Sequence, residues 1–169
     1  MPATGTGRPS AKASVDACAL LTSADLRRVE GEPAQSVRRT EVSAEGLRLL
    51  QCLYTTPTFA KSVSLTLAVA HPVGRGAARN YWKEHFHGAA GGEQRAEVDE
   101  GEIESKPPVR VNGIGEEAFW VGNGISGALY VLLGERFLRI SPGGADSQEL
   151  KQRKSIELAR QAIARLSSR

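Results

Sequence analysis

Aromatic side chains are scarce in this chain of 169 residues, with two Trp, three Tyr and four Phe, and cysteines number only two. No apolar run approaches the roughly 20 residues that a membrane-spanning helix needs. Cys18 and Cys52 have no matching Cys or His pair at ligand spacing, so a tetrahedral zinc cage is excluded, and no CxxC redox pair exists. A nucleophile elbow is missing too, because Gly124-Ile125-Ser126-Gly127 lacks the G-x-S-x-G spacing. Net charge is only +3. The C-terminal basic residues, spread over 151–169, have no aromatic residues among them, and nucleic acid is not an expected partner.

What is present is ordinary globular material: 40% hydrophobic and 24% charged residues in one domain's length of chain. Residues 1–15 have the Pro, Gly, Ser and Thr composition of a flexible linker, and 16–169 form a single domain. Charge is segregated within it. Residues 93–104 carry Glu93, Glu97, Asp99, Glu100, Glu102 and Glu104 against Arg95 alone, in a Gly-rich and acidic connection over 88–108.

The chain is organised around residues 112–141. Ala128–Leu133 is an unbroken apolar run of strand length, Gly134-Glu135 is a two-residue break, and Phe137–Ile140 resumes as a strand. This reads as a β-hairpin at the centre of a sheet. Glu117–Val121 and Val109–Val111 are further strand candidates. Upstream, Thr22 caps a short helix over 23–30, with Asp25 at the third helical position. Strands follow over 35–42 and 47–55. Over 62–70, Val63, Leu65, Leu67 and Val69 alternate with small uncharged residues, the period of a sheet packed on one face. The spacing predicts a helix over 76–87 with Ala78, Trp82, His85 and Phe86 on one stripe, and a C-terminal helix over 146–167. The small face of 62–70 is expected to lie under the N-terminal segment. The order α-βββ-α-β(β)ββ-α predicts an α+β domain, an antiparallel sheet of about six to seven strands with helices packed on one face.

Cys18 and Cys52 are read as a disulfide joining the helix entry to a strand, with two independent buried thiols as the alternative. The bridge would close a loop of about 35 residues and stabilise by about 3–4 kcal/mol on the chain-entropy estimate. Asp16-Ala17-Cys18-Ala19-Leu20-Leu21-Thr22, Cys52-Leu53-Tyr54 and Gly113-Ile114-Gly115-Glu116-Glu117-Ala118-Phe119 resemble a family of uncharacterised exported bacterial domains best known from actinobacterial lipoproteins. The resemblance spans most of 16–165. It implies an envelope location and a disulfide, and it brings no catalytic residues. The expected compartment is secreted, periplasmic or cell-envelope, with peripheral membrane association through an N-terminal anchor that this chain does not contain.

Gly113-Ile114-Gly115-Glu116-Glu117-Ala118 imitates a dinucleotide fingerprint, but two glutamates stand where a pyrophosphate would sit and no βαβ series surrounds them. A turn before a strand is the reading. His85 and His87, two apart on a helix, face different directions and do not converge on one metal. No catalytic, cofactor or metal residues are therefore assigned and no cofactor is expected. The preferred function is a non-enzymatic domain binding a partner protein or a small apolar ligand, with Trp120 and Tyr81 as the candidate aromatic surface. The alternatives are an enzyme with a dispersed site drawn from His85, Glu84 and Tyr81, or a basic surface that binds anionic polymer or lipid.

Overall fold

The computed structural model describes residues 15–88, 106–123 and 125–168. The linker assigned to residues 1–15 therefore lies outside the described residues except for Val15, as does most of the acidic connection. A seven-stranded antiparallel sheet forms the body of the domain, its strands running β1 (Ser36–Ala44), β2 (Leu47–Thr55), β3 (Val63–Ala70), β4 (Val109–Val111), β5 (Glu117–Gly122), β6 (Gly127–Leu133) and β7 (Arg136–Pro142). In space the order is β1-β2-β3-β7-β6-β5-β4. The predicted hairpin β6–β7 is thus central, with β7 in the middle position.

Register sorts the side chains into two faces. On the first, one row crosses the whole sheet: Arg39, Cys52, Leu65, Ile140, Leu129, Trp120 and Val109 are consecutive cross-strand partners. This face is roofed by a 3-10 turn (Ala17–Ala19), by α1 (Ser23–Glu30) and by α3 (Gln148–Ser167). Leu26 of α1 and Leu158, Ala159, Ala162 and Leu166 of α3 are buried on the strand residues, forming the main core. The Cys18–Cys52 disulfide ties the 3-10 turn to this face, with the Cα atoms 5.4 Å apart. Tyr54 seals it by donating its hydroxyl hydrogen bond to the Cys18 carbonyl at 3.0 Å, and burial pushes its phenol pKa up.

The expectation that all helices share one face is corrected. Helix α2 (Ala77–Trp82) and the π-helical turn that prolongs it (Lys83–His87) lie on the second face. There Ala78 and Trp82 are buried with Leu47, Ala68, Phe119, Leu132 and Phe137. The apolar run Ala128–Leu133 and the consecutive Ala118-Phe119-Trp120 put apolar groups on both faces, and such strands need cover on both. The small face of β3 is corrected as well. Ala68 lies under α2, whereas the described part of the N-terminal segment packs on the opposite face.

The π-turn also alters the predicted helical stripe. Adding one residue to the turn carries Phe86 onto the sheet and leaves His85 exposed. Lys151, one of the basic residues of α3, is nevertheless only 1% exposed and donates to the Ile125 carbonyl at 2.6 Å.

Helix α1 begins at the predicted Thr22 cap, and the structure adds a full capping box, with the Thr22 and Asp25 side chains each accepting from the other residue's backbone N–H. Asp25 has a second task, because Arg165 of α3 donates to it at 2.6 Å. Burial raises the Asp25 pKa, but the Arg165 and Thr22 hydrogen bonds outweigh it and hold the carboxyl below its ordinary value. A depressed carboxylate stabilises the fold above the unfolded-state pKa near about 3.9, and that stability is lost as pH falls through the lower folded-state value. Asp25→Asn is expected to cost about 2–3 kcal/mol at neutral pH, the loss of one partner from a largely buried ion pair. The gap to the wild type should close on acidification below the Asp range. Urea unfolding at pH 7 and pH 2.5 checks this, and a gap independent of pH would refute the assignment.

Candidate functional site

Among the described residues, helix covers only half of the second face of the sheet. Its mid-line is a single row of seven cross-strand partners: Thr40, Gln51, Thr66, Arg139, Tyr130, Phe119 and Arg110. On one side of that line the row Leu49, Ala68, Phe137, Leu132 and Glu117 lies under α2 and the π-turn. On the other side Arg38, Leu53, Ser64 and Ser141 are partners with no helix packed on them among the described residues.

The covered half holds most of the chain's few aromatic rings. Phe86 stacks on Phe119 at 4.7 Å between centroids, Tyr81 on Phe137 at 5.1 Å, and Trp82 is tilted against Phe86, Phe119 and Phe137. With Tyr130 this makes six of the nine aromatics (two Trp, three Tyr and four Phe in the whole chain), so α2 is held mainly by ring packing. At its rim Glu117 is the polar anchor. It accepts from Trp82 Nε1 at 2.6 Å and from Arg110 at 2.6 Å, and His87 Nε2 meets the same carboxylate. Burial raises the Glu117 pKa, but these three partners together pull it below the ordinary carboxylate range.

The open half is polar and cationic. Arg139 donates from Nε to the Tyr130 hydroxyl at 3.1 Å and its guanidinium lies 5.8 Å from the centre of that ring. Arg110 sits in the same way over Phe119 at 5.7 Å. The difference is their charge balance: Arg110 is paired with Glu117, whereas among the described residues no carboxylate pairs with Arg139 or Arg38. Around Arg139 lie Thr66, Ser64 and Ser141, with the Thr40 hydroxyl donating to Gln51 at 3.0 Å. The surface is a flat, hydroxyl-bearing sheet with arginine donors that have capacity left for an acceptor.

Trp120 and Tyr81 do not form the aromatic surface expected of them. Trp120 is 5% exposed, on the α3 face, with Nε1 donating to Gln148 Oε1 at 3.2 Å. Its ring passes directly over Gly127, where a Cβ would strike the indole, so residue 127 must be glycine for the ring to lie flat on β6. Tyr81 is half-buried on the other face, between Phe137 and His85, and burial pushes its pKa up. The sheet separates the two rings.

The dispersed set His85, Glu84 and Tyr81 does not converge either. His85 stacks on Tyr81 at 3.7 Å and its Nδ1 meets the Tyr81 backbone carbonyl at 2.9 Å. Glu84 lines a shallow recess of about 510 Å³ with Asn80 and Arg75, and no hydrogen bond joins it to His85 or to the Tyr81 hydroxyl among the described residues. The glycine motif at 113–118 is a turn into β5. Glu116 accepts from the Gly134 N–H at 2.8 Å and from Arg79 at 3.1 Å, closing the β6–β7 turn rather than facing a cofactor. At Gly115, with φ +61, a Cβ would fall 2.8 Å from the Leu132 carbonyl oxygen. Backbone packing therefore accounts for that glycine.

Among the described residues no group of three or more His, Cys, Asp or Glu could hold a metal ion, and no helix is long and apolar enough to cross a membrane. The buried disulfide points to an oxidising compartment. No sequence signal marked Arg139 as a site residue. It is one polar position between Leu138 and Ile140, and only register brings it beside Tyr130, Thr66 and the open row.

Compared with known proteins, the chain matches no family model, no curated protein and no solved structure.

Proposed function

We propose that this protein is an exported, non-enzymatic binding domain that takes an acidic segment of a partner protein on the open half of its second sheet face. One observation carries the reading: Arg139 and Arg38 lie on a hydroxyl-bearing part of the sheet that has no helix packed on it and no carboxylate partner for either arginine among the described residues. A partner carboxylate would meet guanidinium donors flanked by serine and threonine hydroxyls, the chemistry of charge-assisted hydrogen bonding. A small apolar ligand is less well served, because this surface is flat and polar rather than a deep apolar cavity. Export is supported by the disulfide and by the resemblance of 16–165 to exported bacterial domains. A non-enzymatic role is supported by the separation of His85 from Glu84 and by the structural use of Glu116 and Glu117.

The test is fluorescence anisotropy with a labelled peptide of about ten alternating Glu and Ser residues, set against a Gln and Ser peptide of equal length. Wild type should prefer the acidic peptide, and binding should weaken with salt. Arg139→Gln should weaken it by about tenfold, near 1.4 kcal/mol, with the melting temperature little changed. Equal binding of the two peptides, or no effect of Arg139→Gln, would sink the proposal.

A further inference from the structure

The edge strand β1 is exposed along its whole length, all nine residues from Ser36 to Ala44. Among the described residues it is paired only with β2, so half of its backbone N–H and C=O groups face outward. Register says which half. The Ala44–Leu47 pair closes the two-residue turn Glu45-Gly46, and such a closing pair is hydrogen-bonded. The phase of β2 agrees, because Gly46 accepts from His71 on the β3 side at 2.8 Å. Hydrogen-bonded pairs alternate along an antiparallel ladder, so Thr40 and Val42 bond inward to β2, and Val37, Arg39, Glu41 and Ser43 present free groups outward.

We infer that β1 pairs antiparallel with β1 of a second copy of this chain, with the two-fold axis at Thr40, giving a homodimer with one continuous sheet. The outward groups and the charges both select this register. With Thr40 on the axis, Arg39 lies opposite the partner's Glu41, Glu41 opposite the partner's Arg39, and Val37 opposite the partner's Ser43. All are outward-facing residues, so each pair exchanges two backbone hydrogen bonds, about eight in all. Slipping the axis to position 39 sets Arg39 against its own copy. Slipping it to position 41 does the same with Glu41, and like charges directly opposite are destabilising. A slip that pairs outward with inward residues loses the hydrogen bonds altogether.

The side chains already in place extend the charge match. Arg39 pairs with Asp16 at 2.7 Å, and Glu41 with Arg48 at 2.8 Å. Across the dimer these become an alternating row of Asp16, Arg39, the partner's Glu41 and the partner's Arg48, repeated by the two-fold axis. Val37 and Val42, 50% and 47% exposed, lie on this strand. Val42 would be covered by the aliphatic stem of the partner's Arg38. Charged residues on an edge usually discourage pairing. Here they discourage the two neighbouring in-phase registers, and a slip of the axis to Val42 loses half of the hydrogen-bonded pairs.

This inference shares Arg38 with the acidic-segment proposal but rests on the edge of the sheet rather than its face, and its test reads association of the chain with itself rather than peptide binding. Its test uses the whole chain with the native disulfide intact. Residues on the axis form a non-hydrogen-bonded pair with Cα atoms about 4.5 Å apart, inside the range that a disulfide spans. Thr40→Cys should give a covalent dimer on mild oxidation, while Ser43→Cys, whose two copies lie far apart in this register, should stay monomeric. Mixing Val37→Cys with Ser43→Cys protein should restore cross-linking. In sedimentation equilibrium the wild type should associate reversibly, Glu41→Lys should weaken association by about tenfold, and adding Arg39→Glu to the same chain should recover it. Circular dichroism melts check that each variant is folded. A folded wild type that stays monomeric up to about 100 µM, or equal cross-linking of Thr40→Cys and Ser43→Cys, would overturn the dimer.

Discussion

Reduction of the Cys18–Cys52 disulfide is expected to lower the unfolding free energy by about 3–4 kcal/mol and the melting temperature by about 10 °C. The sequence separation of 34 sets the chain-entropy contribution, since the bridge removes unfolded conformations in which α1 and β2 are far apart. Packing adds to it. Cys52 is buried in the cross-sheet row with Leu65 and Ile140, and the Ala17–Ala19 turn that Cys18 holds covers Tyr54. Urea melts with and without reductant measure the difference, and peptide mapping of unreduced protein should recover Cys18 linked to Cys52. Two free thiols in protein prepared under oxidising conditions would remove both the staple and the main support for export.

Leu132→Ala is expected to cost about 2–5 kcal/mol, from lost transfer free energy and the cavity left behind. Leu132 points to the second face and is packed with Trp82, Phe119 and Phe137 beneath α2, unlike its neighbour Val131, which belongs to the α3 side. The damage should therefore be local. Hydrogen exchange in 77–87 should accelerate more than in 148–167, where α3 covers the other face. A loss below about 1 kcal/mol would mean that α2 does not close over the sheet at this point.

The strands were legible because a pleated backbone turns successive side chains to opposite faces, and sequence records that alternation directly. Val63–Ala70 shows it most plainly, and Leu47–Thr55 emerged with the expected bounds. Helix α1 was equally local, since a Thr22–Asp25 capping box depends on residues three apart. The placement of helices was not local. The element order predicts a one-sided helical layer, because runs of adjacent strands say nothing of which face each helix covers. The unbroken run at 128–133 already required cover on both faces, but nothing in it says which helix supplies the second cover. The π-turn was invisible for a similar reason. A helical period places both His85 and Phe86 on the sheet, and that only Phe86 packs there depends on the ring of Phe119 waiting for it.

The candidate site was the least legible part. Trp120 was singled out because exposed aromatics mark surfaces, yet it is core, and its neighbour Phe119 faces the aromatic cluster. Consecutive residues in a strand always divide between faces, so one of the two had to be wrong for any single surface. Arg139, Tyr130, Thr66 and Arg38 carry no shared motif: the first two face each other across the β6–β7 hairpin, and Thr66 and Arg38 come from strands far earlier in the chain.

By itself the amino-acid sequence determined the antiparallel α+β class and the position of each strand and of α1, and it offered the Cys18–Cys52 bridge that the structure contains. These rest on periodicity, capping and spacing, which act over a few residues or through one covalent link. Only the tertiary structure decided that α2 lies opposite α1 and α3, and that, among the described residues, half of one sheet face has no helix over it and Arg139 stands there without a carboxylate. Those outcomes depend on register, which aligns residues a hundred positions apart, and on competition between surfaces for cover, which no local pattern encodes.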